Sequence, residues 1–174
     1  MSDHPPFVPE TDNWFVLRTK SRYEKKLATS FLKKGIDHFL PLKVEQKKWS
    51  DRIKTVESPL FPGFIFVQMT ESTRFQILNT PGAVQFLYHD KKYAQLTRRD
   101  IEMINIALDN RQELEVVSSE SIVGQQVKIN SGPFKGFEAK IIQDNGKGKL
   151  VLEVSSIGQG VIVEIGNAKI VPKH

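Results

Sequence analysis

Apolar residues recur in two rhythms along this chain, and the switch between them marks out its elements. Trp14-Phe15-Val16-Leu17 is a compact apolar run that predicts a strand over Trp14 to Thr19. From Tyr23 the spacing becomes helical. Tyr23, Leu27 and Phe31 fall within about 80° of one another and form an expected core stripe. Ser21-Arg22-Tyr23-Glu24 fits a capping box, and Gly35 fits a C-terminal stop, with Lys33 and Lys34 near the negative end of the helix dipole. Ile36 to Val44 reads as a second strand, with Pro41 indicating an edge or a bulge. Glu45 to Thr55 is polar and basic and reads as a hairpin excursion. Its Trp49 is a core anchor, a cap on the hairpin or a base-stacking residue, and packing is the preferred reading.

The most informative stretch is Pro59-Leu60-Phe61-Pro62-Gly63-Phe64-Ile65-Phe66-Val67. Two prolines and a glycine punctuate an apolar run, so a regular strand is expected only from Phe64 to Met69. Alternation puts Phe64 and Phe66 on one face and Ile65 and Val67 on the other. One face must meet the helices. The other is expected as an exposed apolar patch, and an ordinary core strand is the competing reading. Glu71 to Leu78 reads as a short helix with Phe75 and Leu78 as its apolar contacts. Pro81-Gly82 forces a turn before a strand from Ala83 to Tyr88. Thr97 caps a second long helix with Ile101, Ile104 and Leu108 as its buried stripe.

Arg111 to Ser121 has no clear period and reads as a linker. Beyond it, short β-rich runs at Val127 to Asn130, Phe137 to Gln143, Leu150 to Val154 and Val161 to Ile165 are separated by glycines and by a turn at Asn145-Gly146. This spacing predicts a small five-stranded barrel. The expected fold class is an α+β N-terminal domain, an antiparallel sheet flanked by helices, followed by a small all-β barrel. The expected boundaries are an arm over 1–12, a first domain over 13–110, a linker over 111–121 and a second domain over 122–174.

A length of 174 residues suits one larger and one small domain. The chain has no cysteine, which excludes disulfides and thiolate metal sites and suits a reducing cytoplasm. Met1 to Asp12 is acidic and contains prolines, unlike a signal peptide, and no run approaches the roughly 18 apolar residues of a membrane span.

Charge changes the picture more than composition does. The net charge is +5, but Trp14 to Lys54 alone holds twelve basic and four acidic residues, a balance of +8. A nucleic acid or another polyanion is the natural partner of that half, with a solvated lysine-rich surface as the alternative. Catalysis finds no support. The histidines His4, His38, His89 and His174 have no second ligand at metal-binding spacing, there is no G-x-S-x-G, and Lys135-Gly136 inverts the order a phosphate-binding loop needs. No metal and no cofactor is expected, and the chain reads as a binding protein.

Four blocks carry a family resemblance: Trp14-Phe15-Val16-Leu17 with Lys20, Arg22, Tyr23 and Glu24; the Pro59 to Val67 run; Thr80-Pro81-Gly82-Ala83-Val84-Gln85-Phe86-Leu87; and Gly124-Gln125-Gln126-Val127-Lys128-Ile129 with Gly132-Pro133-Phe134-Lys135-Gly136-Phe137. In this order and spacing the chain resembles the NusG family of transcription elongation factors. The first three blocks match its N-terminal NGN domain, and the fourth matches its C-terminal KOW domain, an SH3-like barrel. The resemblance covers roughly residues 13 to 172.

The resemblance implies three surfaces and a set of partners. An RNA polymerase contact at the clamp helices is expected at Phe15, Leu60, Phe61, Pro62, Phe64 and Phe66. A second contact, at the gate loop, is expected around Thr73 and Arg74. Specialised members often carry a His-Thr-Thr tract there, from which Thr73-Arg74-Phe75 departs. Lys20, Arg22, Tyr23, Lys26, Lys33 and Lys34 are expected to meet the non-template DNA strand in the transcription bubble, with Tyr23 either a base contact or a core residue. Phe134, Lys135 and Phe137 are the expected partner site of the KOW domain, for a small-subunit ribosomal protein or Rho. The proline-punctuated block and the basic helix are similar to those of operon-specific antiterminators of the capsular-polysaccharide type. A general housekeeping NusG and an RNA- or ribosome-binding KOW module are the alternatives. A monomer is the expected state.

Overall fold

The computed structural model describes residues 14–89, 91–110, 114–121, 123–144, 148–164 and 169–173. The arm expected at Met1 to Asp12, the start of the linker at Arg111 and the Asn145-Gly146 turn lie outside the described residues. The chain forms two compact units, one from Met1–Pro41 with Phe61–Arg99 and the other from Leu42–Leu60 with Asp100–His174.

The first unit is built on β1 (Trp14–Thr19), where the apolar run predicted it. It pairs antiparallel with β5 (Phe64–Val67) on one side and β6 (Ala83–Phe86) on the other. Strands β2 (His38–Phe39) and β9 (Gln95–Leu96) complete the sheet, β2 against β5 and β9 against β1. The register sets Phe15 opposite Val67 and Leu17 opposite Ile65, so these four share a face. Helix α1 (Glu24–Lys34) lays Leu27 and Phe31 on that face, and α2 (Glu71–Leu78) adds Ile77. Both α1 residues are fully buried, each stabilising the unit by about 1.5–3 kcal/mol.

The expected capping box at Ser21–Glu24 does not form. Arg22 takes a left-handed backbone with φ 63°, and the helix begins after Tyr23, whose side chain makes no capping bond. The Glu24 carboxylate is buried and leaves the helix end to accept the Gly63 N–H at 2.8 Å. A reciprocal box sits on α2 instead, where Thr70 and Thr73 bond each other's backbone N–H groups at 3.2 and 2.8 Å.

Pro41 does more than bend the second strand. The stretch expected as one strand divides into β2 and β3 (Leu42–Lys48), which belong to different sheets. Strand β3 pairs along its whole length with β4 (Ile53–Pro59) as a two-stranded hairpin in the second unit. The run expected from Ala83 to Tyr88 likewise splits into β6 and β7 (Tyr88–His89), and β7 pairs with β8 (Lys92–Tyr93). Helix α3 (Arg98–Asp109) buries Met103, Ile104 and Ala107, so its stripe is rotated from the expected Ile101, Ile104 and Leu108.

The rest of the second unit is a six-stranded antiparallel sheet of β10 (Glu115–Ser118), β14 (Gln159–Glu164), β13 (Gly148–Val154), β12 (Glu138–Asp144), β11 (Gln126–Ile129) and β15 (Ile170–Pro172), in that order. Its core includes Val127, Ile129, Leu150, Leu152, Val161 and Val163. The segment read as a linker supplies β10, paired from Glu115 to Ser118 with Ile162 to Gln159. Val116 and Val117 are half-buried there, which suits an edge strand and leaves no strict alternation to read. At Gly124 any Cβ would overlap the Ile141 carbonyl, which explains a glycine where the chain enters this sheet.

Candidate functional site

The cationic surface starts at the turn between β1 and α1. Lys20, Arg22, Lys25, Lys26 and Lys33 are all exposed. Arg22 belongs to that turn rather than to the helix, and its left-handed backbone is a local strain of about 1–3 kcal/mol. Lys34 differs from the others. Its Nζ donates to Thr80 Oγ1 at 2.8 Å, tying the end of α1 to the turn after α2, and Thr80 is itself buried.

Tyr23 is not part of the core stripe. It is 37% exposed, beside the lysines, and Lys26 Nζ lies 5.1 Å from its ring centroid. The ring rests on Gly82, whose φ is 101° and where a Cβ would come within 2.8 Å of Tyr23 Cδ1. The Lys20 N–H donates to the Gly82 carbonyl at 2.8 Å, so one glycine positions both residues. Strands β1 and β6 thus fix the aromatic ring at one end of a row of cations. With Lys26 over the ring and Gly82 against it, a nucleobase meeting the exposed part of Tyr23 would find cations close by for its phosphates.

The second candidate surface lies on the other face of the β1–β5 pair. Phe66 stands opposite Val16, Phe64 opposite Arg18, and Phe39 of β2 opposite Phe66. The rings form a row: Trp14 to Phe39 at 6.2 Å, Phe39 to Phe66 at 6.1 Å and Phe66 to Phe61 at 6.2 Å between centroids. The exposed apolar face expected here needs correction. Phe15, Leu60, Phe61 and Phe66 are buried, because Phe15 faces α1 and Phe61 folds back edge-on over Phe66. What remains accessible is Pro62, which is exposed, with half-buried Phe64, Trp14 and Phe39 and the exposed Arg18.

On α2, Thr73 is committed to the cap, and Arg74 Nη1 donates to the Tyr93 hydroxyl at 3.0 Å. Phe75, expected to pack, is 71% exposed, and Ile77 takes the buried position. Phe75 was missed as a surface residue because on an eight-residue helix with weak periodicity a shift of two positions reverses inside and outside.

In the second unit, Phe134 and Phe137 are buried and Lys135 between them is exposed. The turn is closed by Lys135 N–H to the Gly132 carbonyl at 3.1 Å and Gly136 N–H to the Ile129 carbonyl at 2.7 Å. The two phenylalanines expected at a partner site are therefore core anchors of the turn, and Lys135 alone is presented.

One carboxylate has a shifted titration. Glu45 of the hairpin lies below its ordinary range, chiefly through the Lys43 hydrogen bond and charge, with smaller help from Ser58 and Lys47 against the cost of partial burial. No cluster of three or more histidine, aspartate or glutamate side chains suited to a metal ion occurs among the described residues, and no helix among them is long and apolar enough to cross a membrane.

A family model described as transcription termination factor nusG matches residues 12–105, and one for the KOW motif matches residues 123–152. The transcription termination/antitermination protein NusG of Lactococcus lactis is 30% identical over 164 residues, covering 87% of this chain and 88% of its own. The protein of that name from Streptococcus pyogenes is 28% identical over 165 residues, covering 87% and 91%. Among solved structures, Thermotoga maritima NusG superposes with a TM-score of 0.55 at 20% identity over 94% of this chain and 98% of its own, a likeness of fold.

Proposed function

The chain belongs to the NusG family, and from that premise we propose that it is a transcription elongation and antitermination factor that binds RNA polymerase at the clamp and touches the non-template DNA strand. Proteins of this family are transcription factors and not enzymes. The observation that carries the reading is the exposed row Lys20, Arg22, Lys26 and Lys33 with Tyr23 held beside it on Gly82. Phosphate contacts from the row would fix register, and the tyrosine would supply a base contact.

The polymerase contact is assigned to Pro62 and Phe64 at the accessible end of the aromatic row, with Phe61, Phe66, Leu60 and Phe15 as the packing beneath it. On α2, Phe75 takes the gate-loop role, and Thr73 and Arg74 hold the helix that presents it. A factor bridging both rims of the polymerase cleft favours the closed, elongating state over the paused one by binding it more tightly. The second unit is read as an SH3-like KOW barrel that recruits a small-subunit ribosomal protein or Rho through Lys135. NGN and KOW domains over 13–110 and 122–174, a monomeric state, a cytoplasmic location and an operon-specific role complete the reading. The operon-specific role rests on the Pro59 to Val67 block and the density of lysines on α1.

Single-round transcription tests it. Added to elongating polymerase on a template carrying the cognate leader, the protein is expected to shorten pauses and raise read-through at downstream terminators. A Lys20→Ala/Lys26→Ala/Lys33→Ala variant is expected to lose most of that effect and to need lower salt for the remainder, since about three phosphate contacts are gone. Equal activity on every template would favour a general NusG. An unchanged triple variant would remove the DNA contact from α1.

A further inference from the structure

The β3–β4 hairpin carries a feature that the α1 surface does not explain. It forms a two-stranded sheet of its own, and its tip is exposed throughout: Lys47, Lys48, Trp49, Arg52, Ile53 and Lys54. The register sets Lys47 opposite Lys54 and Lys48 opposite Ile53, and beyond them the Trp49 N–H donates to the Arg52 carbonyl at 2.8 Å, which pairs those two at the tip, two positions out from Lys47 and Lys54. Alternation therefore puts Lys47, Lys54, Trp49 and Arg52 on one face. Trp49 is 59% exposed, so the packing role expected for it is not the one it has.

These residues do little for the hairpin itself. Like charges directly opposite each other destabilise a strand pair, and a two-stranded hairpin has little stability to spare. The acids that accompany the tip neutralise it only in part. Glu45 lies toward the base, where it pairs with Lys43, accepts from Ser58 and holds Lys47 in a longer ion pair at 3.7 Å, which leaves Lys48, Arg52 and Lys54 without that carboxylate. Asp51 stands alone in the turn against four cations from Lys47 to Lys54. Three cations around an exposed indole match a polyanion that also offers flat aromatic faces.

We propose that the hairpin tip is a second nucleic-acid contact, in which Trp49 stacks on an unpaired base while Lys47, Arg52 and Lys54 hold the flanking phosphates. Unpaired nucleotides fit better than a duplex, because a duplex buries its base faces in its own stack and leaves the indole without a partner. The site goes beyond the polymerase reading and uses none of its residues.

Fluorescence of the full chain with 12-nucleotide single-stranded DNA and RNA oligonucleotides, without polymerase, tests it. Either oligonucleotide is expected to quench tryptophan emission in wild type, and Trp49→Phe is expected to abolish most of the quench while keeping most of the affinity. Trp49→Ala is expected to weaken binding about tenfold. Lys47→Gln/Lys54→Gln is expected to lower the salt slope by about 1.4. The tighter of the two strands identifies the source of the unpaired nucleotides. A Lys26→Gln/Lys33→Gln variant run in parallel reports the α1 surface separately, so either contact can fail alone. The proposal is overturned if Trp49→Ala binds the oligonucleotides as wild type does, if neither oligonucleotide quenches, or if duplex DNA and heparin show the same dependence on Trp49. The last two outcomes point to an acidic protein surface or to a generic polyanion contact.

Discussion

Phe66→Ala is expected to lower the stability of the first unit by about 3–5 kcal/mol, against about 1 kcal/mol for Phe64→Ala two residues away. The two rings share a strand and a face, and sequence alone treats them alike. The structure separates them: Phe66 is fully buried between Phe39 and Phe61, whereas Phe64 is half-buried at the strand's entrance. Truncating Phe66 removes a buried ring from a row of aromatic contacts and leaves a cavity that its neighbours fill only in part. The check is urea unfolding followed by Trp14 emission in a Trp49→Phe background, since Trp14 lies on the Phe39 ring in the same row. Equal midpoints for the two variants would place Phe66 at the surface and restore the wider exposed patch. Any binding defect of Phe66→Ala must therefore be read against its folded fraction.

Phe134→Ala is expected to cost a similar 3–5 kcal/mol in the second unit, while Lys135→Ala next to it stays within about 0.5 kcal/mol. Phe134 is buried beneath the Gly132–Gly136 turn, and the exposed Lys135 contributes charge rather than packing. One or two kcal/mol is already a large share of a folded unit's stability, so a loss of this size takes most of it. Circular dichroism melts of the full chain should show a separate low-temperature transition for Phe134→Ala and none for Lys135→Ala. A Phe134→Ala protein that melts like wild type would make that ring a surface group and return it to the partner site.

The sequence was legible where periodicity and burial agree. Trp14 to Thr19, the Leu27 and Phe31 pair and the stop at Gly35 follow from local pattern, because each element buries a face that its own spacing defines. It was least legible where a tertiary contact redirects a local signal. Ser21 to Glu24 spells a capping box, but the Glu24 carboxylate is taken by the Gly63 N–H, a partner 39 residues away. Pro41 marks a break, yet nothing local says that the strands on its two sides join different sheets. Edge strand β10 lacks alternation, so Glu115 to Ser118 reads as a linker until β14 is placed beside it. The candidate site shows the same division. The lysines of α1 are placed by helical spacing alone. Which of the aromatics is covered depends on Phe61 folding back over Phe66, and the exposure of Trp49 and Phe75 is set by tertiary packing that their local spacing does not encode.

The most direct test of the account is retention on RNA polymerase. Wild type and a Phe64→Ala/Phe75→Ala variant, both confirmed as folded, would be passed over immobilised core polymerase at rising salt. The account predicts that wild type is retained and that the double variant binds at least about thirtyfold more weakly, as expected for removing central aromatic anchors. Retention of the variant equal to wild type, or no retention of wild type at low salt, would contradict it.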